Sequence, residues 1–218
     1  MLGKLYLVAS PRPGQPQAEL LNRLEAALEG GVELLQLRAK DLEAGVSLRE
    51  SSEAQAILEL GEKLRELCGR YRVPLVINDR PDLAALLEAD GVHLGQGDLS
   101  VAQARRFFAG WIGRSTHEPA QALREQAALE GGEGYLSVGP VWETPTKPGR
   151  PATGLDYVRW AAHNLRVPWF AIGGIDEHTL PKVLEAGARR VAVVRAILDA
   201  PDPEGAAKRL RRWLDGVD

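Results

Sequence analysis

The chain has a single cysteine and no long apolar run, and each of these absences excludes a class of protein. Cys68 is the single cysteine among 218 residues, so an internal disulfide is excluded and a reducing compartment is suitable. No stretch approaches the ~18 apolar residues that a membrane-spanning helix needs. The first ten residues carry one lysine and too short an apolar run for a signal peptide. We therefore expect a cytoplasmic protein without a membrane partner.

An excess of charge of one sign is also lacking. The chain has 27 Lys and Arg residues against 30 Asp and Glu residues, which gives a net charge of −3 at pH 7. A protein of this balance has no general basic surface for nucleic acid, so an anionic ligand needs locally clustered cations. We expect small-molecule substrates and no nucleic-acid partner, and a homo-oligomer is compatible with the sequence.

What the sequence does contain is a strict alternation of short apolar runs and helical periods. The predicted strands are Lys4–Ser10, Val32–Arg38, Pro74–Asp79, Gly91–Gly95, Trp111–Thr116, Tyr135–Val141, Pro168–Gly174 and Arg190–Ile197. The predicted helices are Gln17–Glu29, Leu48–Tyr71, Pro81–Ala89, Val101–Phe108, Pro119–Glu130, Leu155–Leu165, Glu177–Ala186 and Pro203–Leu214. Eight such units predict an α/β protein, a single (β/α)8 TIM barrel over residues 1–218. An open, doubly wound sheet is the alternative.

Two carboxylates follow the ends of consecutive strands. Asp79 comes after the third strand and Asp98 after the fourth, so parallel neighbouring strands would place them at one mouth of the sheet. Mg²⁺ commonly takes one or two carboxylates together with substrate phosphates. The pair predicts a Mg²⁺ site that is shared with a diphosphate. The alternative is that each aspartate caps the helix that follows, near Pro81 or near Ser100.

Cations and polar groups occupy one face of the second strand. Gln36, Arg38 and Lys40 are spaced by two and point to one side, while Leu35 and Leu37 point to the other. Such a row is costly inside a barrel unless it is paired, so at the mouth it predicts an anion-binding row. The alternative is that both cations pair with acidic neighbours at the rim.

Further polar residues fall at the ends of the third to fifth strands. Asn78 both donates and accepts, as recognition of a polar heterocycle requires, although asparagine also forms turns. His93 lies inside an apolar strand and is predicted to be a packed, hydrogen-bonded core histidine. Ser115 is suited to a phosphate oxygen and His117 to acid–base chemistry, unless both merely begin the next helix.

Two loops supply candidate groups for a second anion. The loop after the sixth strand is long and carries Thr144, Thr146, Lys147 and Arg150, which suits either a binding loop or an irregular surface loop. The seventh strand is followed by Gly173 and Gly174, and the eighth by Val194 and Arg195. This corner is the frequent phosphate site of (β/α)8 barrels.

As an ordered set, these motifs resemble the thiamine-phosphate synthase family over nearly the whole chain. They are QLRAK (36–40), INDRPDLA (77–84), ADGVHLGQGDL (89–99), IGRSTH (112–117), GPVWETPTKPGRPATGLDYV (139–158), AIGGI (171–175) and VAVVRAI (191–197). The resemblance implies a transferase that joins a hydroxymethylpyrimidine diphosphate to a thiazole phosphate, with Mg²⁺. Loss of pyrophosphate would leave a cationic pyrimidine intermediate, which the thiazole nitrogen captures.

The resemblance also implies a role for each matching position. Gln36, Arg38, Lys40, Asn78, Ser115 and Lys147 would bind the pyrimidine diphosphate, with Arg38, Lys40 and Lys147 catalytic. Thr144, Thr146, Gly174, Val194 and Arg195 would bind the thiazole phosphate, and Asp79 and Asp98 the Mg²⁺. The segment between Lys40 and Val73 is longer than the family pattern, and Arg195 replaces a small residue.

Three other functions stay open on the sequence alone. The GRSTH motif and the run Trp142-Glu143-Thr144 lean towards a paralogue, the thiazole tautomerase, which would use His117 for proton transfer without a metal. A barrel that binds thiamine phosphate without turnover is the second alternative. Another phosphate-binding barrel enzyme, such as an aldolase or epimerase, is the third.

Overall fold

The computed structural model describes residues 2–12, 14–39, 53–144, 149 and 151–217. Eight parallel strands pair in chain order, and β8 pairs with β1, so the sheet closes into a barrel. The strands are β1 (Leu5–Ala9), β2 (Leu34–Leu37), β3 (Leu75–Asn78), β4 (Gly91–Leu94), β5 (Trp111–Thr116), β6 (Gly134–Val138), β7 (Trp169–Ile172) and β8 (Val191–Val193). The predicted α/β class and (β/α)8 TIM barrel are thereby confirmed.

The helices follow the strands around the outside of the barrel. Those in the described ranges are α1 (Gln17–Glu29), α2 (Glu53–Tyr71), α3 (Pro81–Leu86), α4 (Val101–Ala104), α5 (Pro119–Leu129), α6 (Gly154–Asn164), α7 (Leu180–Glu185), α8 (Arg195–Leu198) and α9 (Pro203–Asp215). The predicted start of the second helix at Leu48 lies outside the described residues. In the part of the chain that the structure covers, no helix is both long and apolar enough to cross a bilayer.

The prediction for the eighth strand was wrong at its carboxyl end. The strand stops at Val193, Val194 is the N-cap, and the short helix α8 begins at Arg195. The run from Val191 to Leu198 is apolar except for Arg195, and an apolar run of this length does not distinguish a buried strand from a buried helix. The turn places the backbone of Val194 and Arg195 at the mouth of the barrel.

The core has two layers because strand side chains alternate in direction. Outward residues such as Leu35 and Leu37 pack beneath the helices in the larger cluster. Inward residues fill the barrel as a smaller cluster: Tyr6, Val8, Leu34, Val76, Tyr135, Phe170 and Ala192. Rings of Tyr6, Tyr135 and Phe170 meet edge to face with centroids 5.1–5.7 Å apart. This aromatic layer closes the barrel interior below the mouth.

Candidate active site

A cavity of about 370 Å³ opens at the carboxyl ends of the strands. Most of the predicted binding residues line it: Gln36, Arg38, Asn78, Ser115, Thr144, Gly174, Val194 and Arg195. Lys40, Thr146 and Lys147 lie outside the described residues. Asp79 and Asp98 are described but are not among the residues that line the cavity. The ligand roles of all these residues stay predictions.

The second strand presents the expected polar row. Gln36 and Arg38 face the cavity and are buried, while Leu35 and Leu37 lie in the outer core. A guanidinium nitrogen of Arg38 donates to the Ser10 hydroxyl at 3.3 Å, which links the ends of β2 and β1. A buried cation at the mouth of a barrel is suited to pairing with an anionic ligand.

A continuous chain of hydrogen bonds, here called the interior chain, crosses the barrel at the floor of the cavity. It consists of Gln36, Tyr6, Tyr135, His93 and Ser115. Gln36 donates to the Tyr6 hydroxyl, whose oxygen lies 2.7 Å from that of Tyr135. The ring of His93 joins Tyr135 to Ser115, with distances of 3.2 Å from Nδ1 and 2.9 Å from Nε2. His93 is therefore the buried, hydrogen-bonded histidine that the sequence predicts.

Sequence reasoning missed Tyr6 and Tyr135. Each is an aromatic residue in an apolar strand, and the two are 129 positions apart. The only available signal was a polar-tipped aromatic at an inward position, where a buried hydroxyl needs a partner. The acidic residues Asp176 and Asp199, which also line the cavity, were missed as well.

Asp79 follows β3 in a left-handed conformation with φ 63°. Its backbone N–H donates to the carbonyl of His93 at 2.8 Å, which fixes this turn against β4. The alternative role as a helix cap is wrong, because the N-cap of α3 is Arg80 and no side-chain cap hydrogen bond forms there. Left-handed non-glycine residues cluster at functional sites, although aspartate tolerates this conformation better than most residues do.

Asp98 organises the turn between β4 and α4. Its Oδ2 accepts the backbone N–H of Gly95 at 2.6 Å. The cap of α4 is Ser100, which forms a capping box with Gln103, so the alternative role of Asp98 as the cap is also wrong. One carboxylate oxygen of Asp98 is thus committed to the backbone, and the carboxylate follows β4 as the metal hypothesis requires.

The donor set fits Mg²⁺ only when a substrate completes it. Among the described residues there is no group of three or more His, Cys, Asp or Glu side chains that could hold a metal ion. Two aspartates on consecutive turns are a sufficient protein contribution for Mg²⁺ that retains waters and binds substrate phosphates. Asp79 and Asp98 would hold it.

The glycine corner is built by close backbone approach. Gly173 and Gly174 have positive φ values of 104° and 67°. A Cβ on Gly173 would lie 2.5 Å from Pro140, and one on Gly174 would lie 2.8 Å from Trp142. The pair thus lets the loop after β6 fold against the end of β7. This close packing explains why glycine is required at both positions. The backbone of Gly173 and Gly174 also lines the cavity.

His117 follows β5 and lines the cavity. Its ring Nδ1–H donates to the carbonyl of Gly139 at 2.5 Å, and its backbone N–H donates to Gln121. The imidazole is thereby oriented by backbone at the end of β6. This geometry places a histidine beside the cavity, where the tautomerase alternative would need one.

A closed barrel with the buried polar row of Gln36 and Arg38 and a glycine corner at its mouth is typical of phosphate-binding (β/α)8 proteins. The family model described as thiamine monophosphate synthase matches residues 5–197. The chain belongs to the thiamine monophosphate synthase family, as its motifs predict.

Two similar proteins carry the name thiamine-phosphate synthase. The chain is 65% identical over 218 residues to a thiamine-phosphate synthase of Thermus thermophilus, with all of both chains covered. It is 53% identical over 215 residues to one of Deinococcus radiodurans, covering 98% of this chain and 74% of the relative. The solved structure of a thiamine phosphate pyrophosphorylase from Pyrococcus furiosus is 29% identical, with a TM-score of 0.81, and covers 98% of this chain and 96% of that one.

Proposed function

We propose that the chain is a thiamine-phosphate synthase, a transferase that moves a pyrimidinylmethyl group from diphosphate to the nitrogen of a thiazole phosphate. The observation that carries the proposal is the cavity at the mouth of the barrel. It brings Gln36, Arg38, Asn78 and Ser115 together with the glycine corner at Gly174. Two anionic substrates can thus be held at one mouth, and full-length similarity to named synthases points to the same reaction.

The chemistry is a dissociative transfer. The carbon–oxygen bond to the diphosphate breaks, its electron pair leaves with the diphosphate, and the aminopyrimidine stabilises the resulting cation. The lone pair of the thiazole nitrogen then forms the new carbon–nitrogen bond. No general base is required, because the nitrogen that attacks carries no proton to remove. Holding both partners in one cavity supplies proximity.

This chain's residues would act mainly through fixed electrostatics. Arg38 is buried beside the cavity, and with Lys40 and Lys147 it would neutralise charge on the leaving diphosphate. Mg²⁺ held by Asp79 and Asp98 would supply further charge neutralisation when bound. Thr144, Thr146, Val194 and Arg195 would hold the thiazole phosphate opposite.

The test is an incubation of both substrates with the purified protein, with and without Mg²⁺, scored for thiamine phosphate and pyrophosphate. We expect equal amounts of the two products, and loss of both on chelation. Absence of both products, together with isomerisation of a thiazole phosphate that survives chelation but is abolished by His117→Ala, would instead favour the tautomerase chemistry. Binding of thiamine phosphate without any turnover would indicate a non-catalytic barrel.

A further inference from the structure

The hydrogen bonds of the interior chain run from donor to acceptor in one direction. That direction determines which end presents a donor to a ligand and which end presents an acceptor. Gln36 and Ser115 are the two ends, and both line the cavity. Between them lie Tyr6, Tyr135 and His93, all buried in the barrel. Because buried polar groups are nearly always paired, the hydrogens can be placed by counting donors and acceptors.

The first two bonds are fixed by the amide of Gln36. Its Nε2 can only donate, so the Tyr6 oxygen accepts there. Tyr6 has one hydroxyl hydrogen, and the oxygen of Tyr135 lies 2.7 Å away. If Tyr135 donated to Tyr6 instead, the Tyr6 hydrogen would have no protein acceptor among the described residues and would have to meet a group in the cavity, which Tyr6 also lines. Donation from Tyr6 to Tyr135 pairs both hydroxyls within the protein.

The remaining bonds follow from the same count. Tyr135 uses its hydrogen on Nδ1 of His93, 3.2 Å away, so Nδ1 carries none of its own. A neutral imidazole that accepts at Nδ1 carries its hydrogen on Nε2. This Nε2–H donates to the Ser115 oxygen at 2.9 Å. The hydroxyl hydrogen of Ser115 is then available to an acceptor in the cavity, and Oε1 of Gln36 is the acceptor at the other end.

Burial keeps the two phenols neutral. Removal from water raises the pKa of Tyr6 and of Tyr135 above the ordinary value for tyrosine. Neither hydroxyl therefore ionises near neutral pH. The interior chain fixes the directions of its hydrogen bonds and does not place a charge in the barrel.

We propose that Tyr6, Tyr135 and His93 are positioning residues that fix the Nε2–H tautomer of His93, and thereby make Ser115 a donor and Gln36 an acceptor towards the bound pyrimidine diphosphate. The identity of this ligand rests on the proposed function. An aminopyrimidine offers amino hydrogens that match the Gln36 oxygen. Its ring nitrogens and the diphosphate oxygens are acceptors that match the Ser115 hydroxyl. A ring that presented an acceptor to Gln36 and a donor to Ser115 would place acceptor against acceptor at one end and donor against donor at the other.

The tautomer can be measured without any substrate. Nitrogen-15 NMR of the protein labelled at histidine, at pH 8, reports which ring nitrogen carries the hydrogen, and the His93→Gln variant assigns the signal. We expect His93 to have hydrogen on Nε2 and a bare Nδ1. A hydrogen on Nδ1, or a charged ring, would overturn the proposal whether or not the protein is a synthase.

The functional consequence has a matched control. Tyr135→Phe removes the hydroxyl that orients His93, so we expect the KM for the pyrimidine diphosphate to rise about 10- to 100-fold. The KM for the thiazole phosphate should not change. Tyr157→Phe removes another hydroxyl, whose oxygen lies 2.8 Å from the Thr116 hydroxyl and 3.1 Å from the Glu118 carbonyl, outside the interior chain.

We expect Tyr157→Phe to leave both KM values unchanged even where it lowers the melting temperature. An unchanged KM for the pyrimidine diphosphate in Tyr135→Phe, or an equal rise for both substrates, would overturn the positioning role. If the unaltered protein has no synthase activity, the proposed function fails and the NMR measurement alone decides on the tautomer.

Discussion

The guanidinium of Arg114 is held by the carboxylate of Glu125 through two hydrogen bonds, of 2.7 Å from Nε and 3.0 Å from Nη2. The remaining nitrogen, Nη1, donates to the carbonyls of Gly95 and Leu99, each at 3.0 Å. Those carbonyls flank Asp98 in the turn after β4. A buried ion pair on the outer face of β5 thus fixes the backbone that presents a candidate metal ligand.

This ion pair predicts a specific pH dependence of stability. Partial burial alone would raise the pKa of Glu125, but hydrogen bonds and charge from Arg114 outweigh burial and hold the pKa below its ordinary value. A carboxyl whose pKa is lowered by folding stabilises the protein above its unfolded pKa, here about 4.5, and loses that contribution as the pH falls through the folded value. We expect Glu125→Gln to destabilise the protein by about 2–4 kcal/mol at pH 7.

The measurement is urea unfolding of both proteins at pH 7 and near pH 3, where we expect the difference to shrink. Glu177→Gln is the matched control, because it breaks the exposed pair with Arg209, whose side chains are 44% and 45% exposed. Its effect should stay below about 0.5 kcal/mol. An Arg114–Glu125 contribution that is independent of pH would contradict the assignment.

Asp98 should be needed for metal use more than for folding. Asp98→Asn retains an oxygen that can accept the Gly95 N–H, so we expect the melting temperature to change little. The loss of carboxylate charge weakens a ligand that Mg²⁺ prefers. We expect at least about a 100-fold loss in synthase rate at low Mg²⁺, on the scale of one lost charged interaction, with partial recovery as Mg²⁺ is raised. Full activity of Asp98→Asn in the presence of a chelator would refute the metal role.

Replacement of Asp79 by glycine should raise the stability of the protein and lower its activity. The left-handed φ of 63° at Asp79 strains any residue with a Cβ, so Asp79→Gly is expected to stabilise the protein by about 0.5 kcal/mol while abolishing Mg²⁺-dependent synthesis. Arg72→Gly is the control, since Arg72 has φ 56° just beyond α2, away from the cavity. That variant should gain a similar amount of stability and keep full activity. Thermal unfolding and initial rates measure both; a marked loss of stability in Asp79→Gly would contradict the strain argument.

The parts of the site that the sequence predicted are those that depend on strand alternation. Gln36 and Arg38 share a face because side chains alternate along a strand, so their spacing alone placed both in the cavity. The closed barrel followed from eight regular units. The end of β8 was misplaced because the apolar run from Val191 to Leu198 suits a strand and a helix equally well.

The features that could not be predicted depend on contacts between residues that are far apart in the sequence. The hydrogen bond between Tyr6 and Tyr135 joins opposite walls of the barrel, and no local pattern reports such a contact. The left-handed conformation of Asp79 depends on the bond from its N–H to the carbonyl of His93 on the next strand. The sequence was compatible with Asp79 as a helix cap or as a metal ligand. Only the backbone geometry, which makes Arg80 the N-cap of α3, excluded the first role.

Arg195 should determine affinity for the thiazole phosphate alone. It begins α8 and lines the cavity on the side of Gly174, in place of the small residue that the family resemblance implies. We expect Arg195→Ser to raise the KM for the thiazole phosphate about tenfold, the effect of one charge-assisted hydrogen bond. The KM for the pyrimidine diphosphate should be unchanged. Steady-state rates with each substrate varied in turn measure both, and an equal rise in the two values would refute separate anion sites.

Gly113 should tolerate no side chain, because the interior chain passes beside it. A Cβ on Gly113 would lie 2.5 Å from Nδ1 of His93 and closer still to the ring of Tyr135. Gly113→Ala must therefore displace the hydrogen bond between these two residues, and overpacking of a core costs about 1–3 kcal/mol. Gly69→Ala is the control, since no atom lies within 4 Å of a Cβ there and alanine favours the helix α2. We expect the first variant to unfold at lower urea and bind the pyrimidine diphosphate weakly, and the second to be slightly stabilised with normal binding. Normal binding by Gly113→Ala would show that the cavity does not depend on this contact.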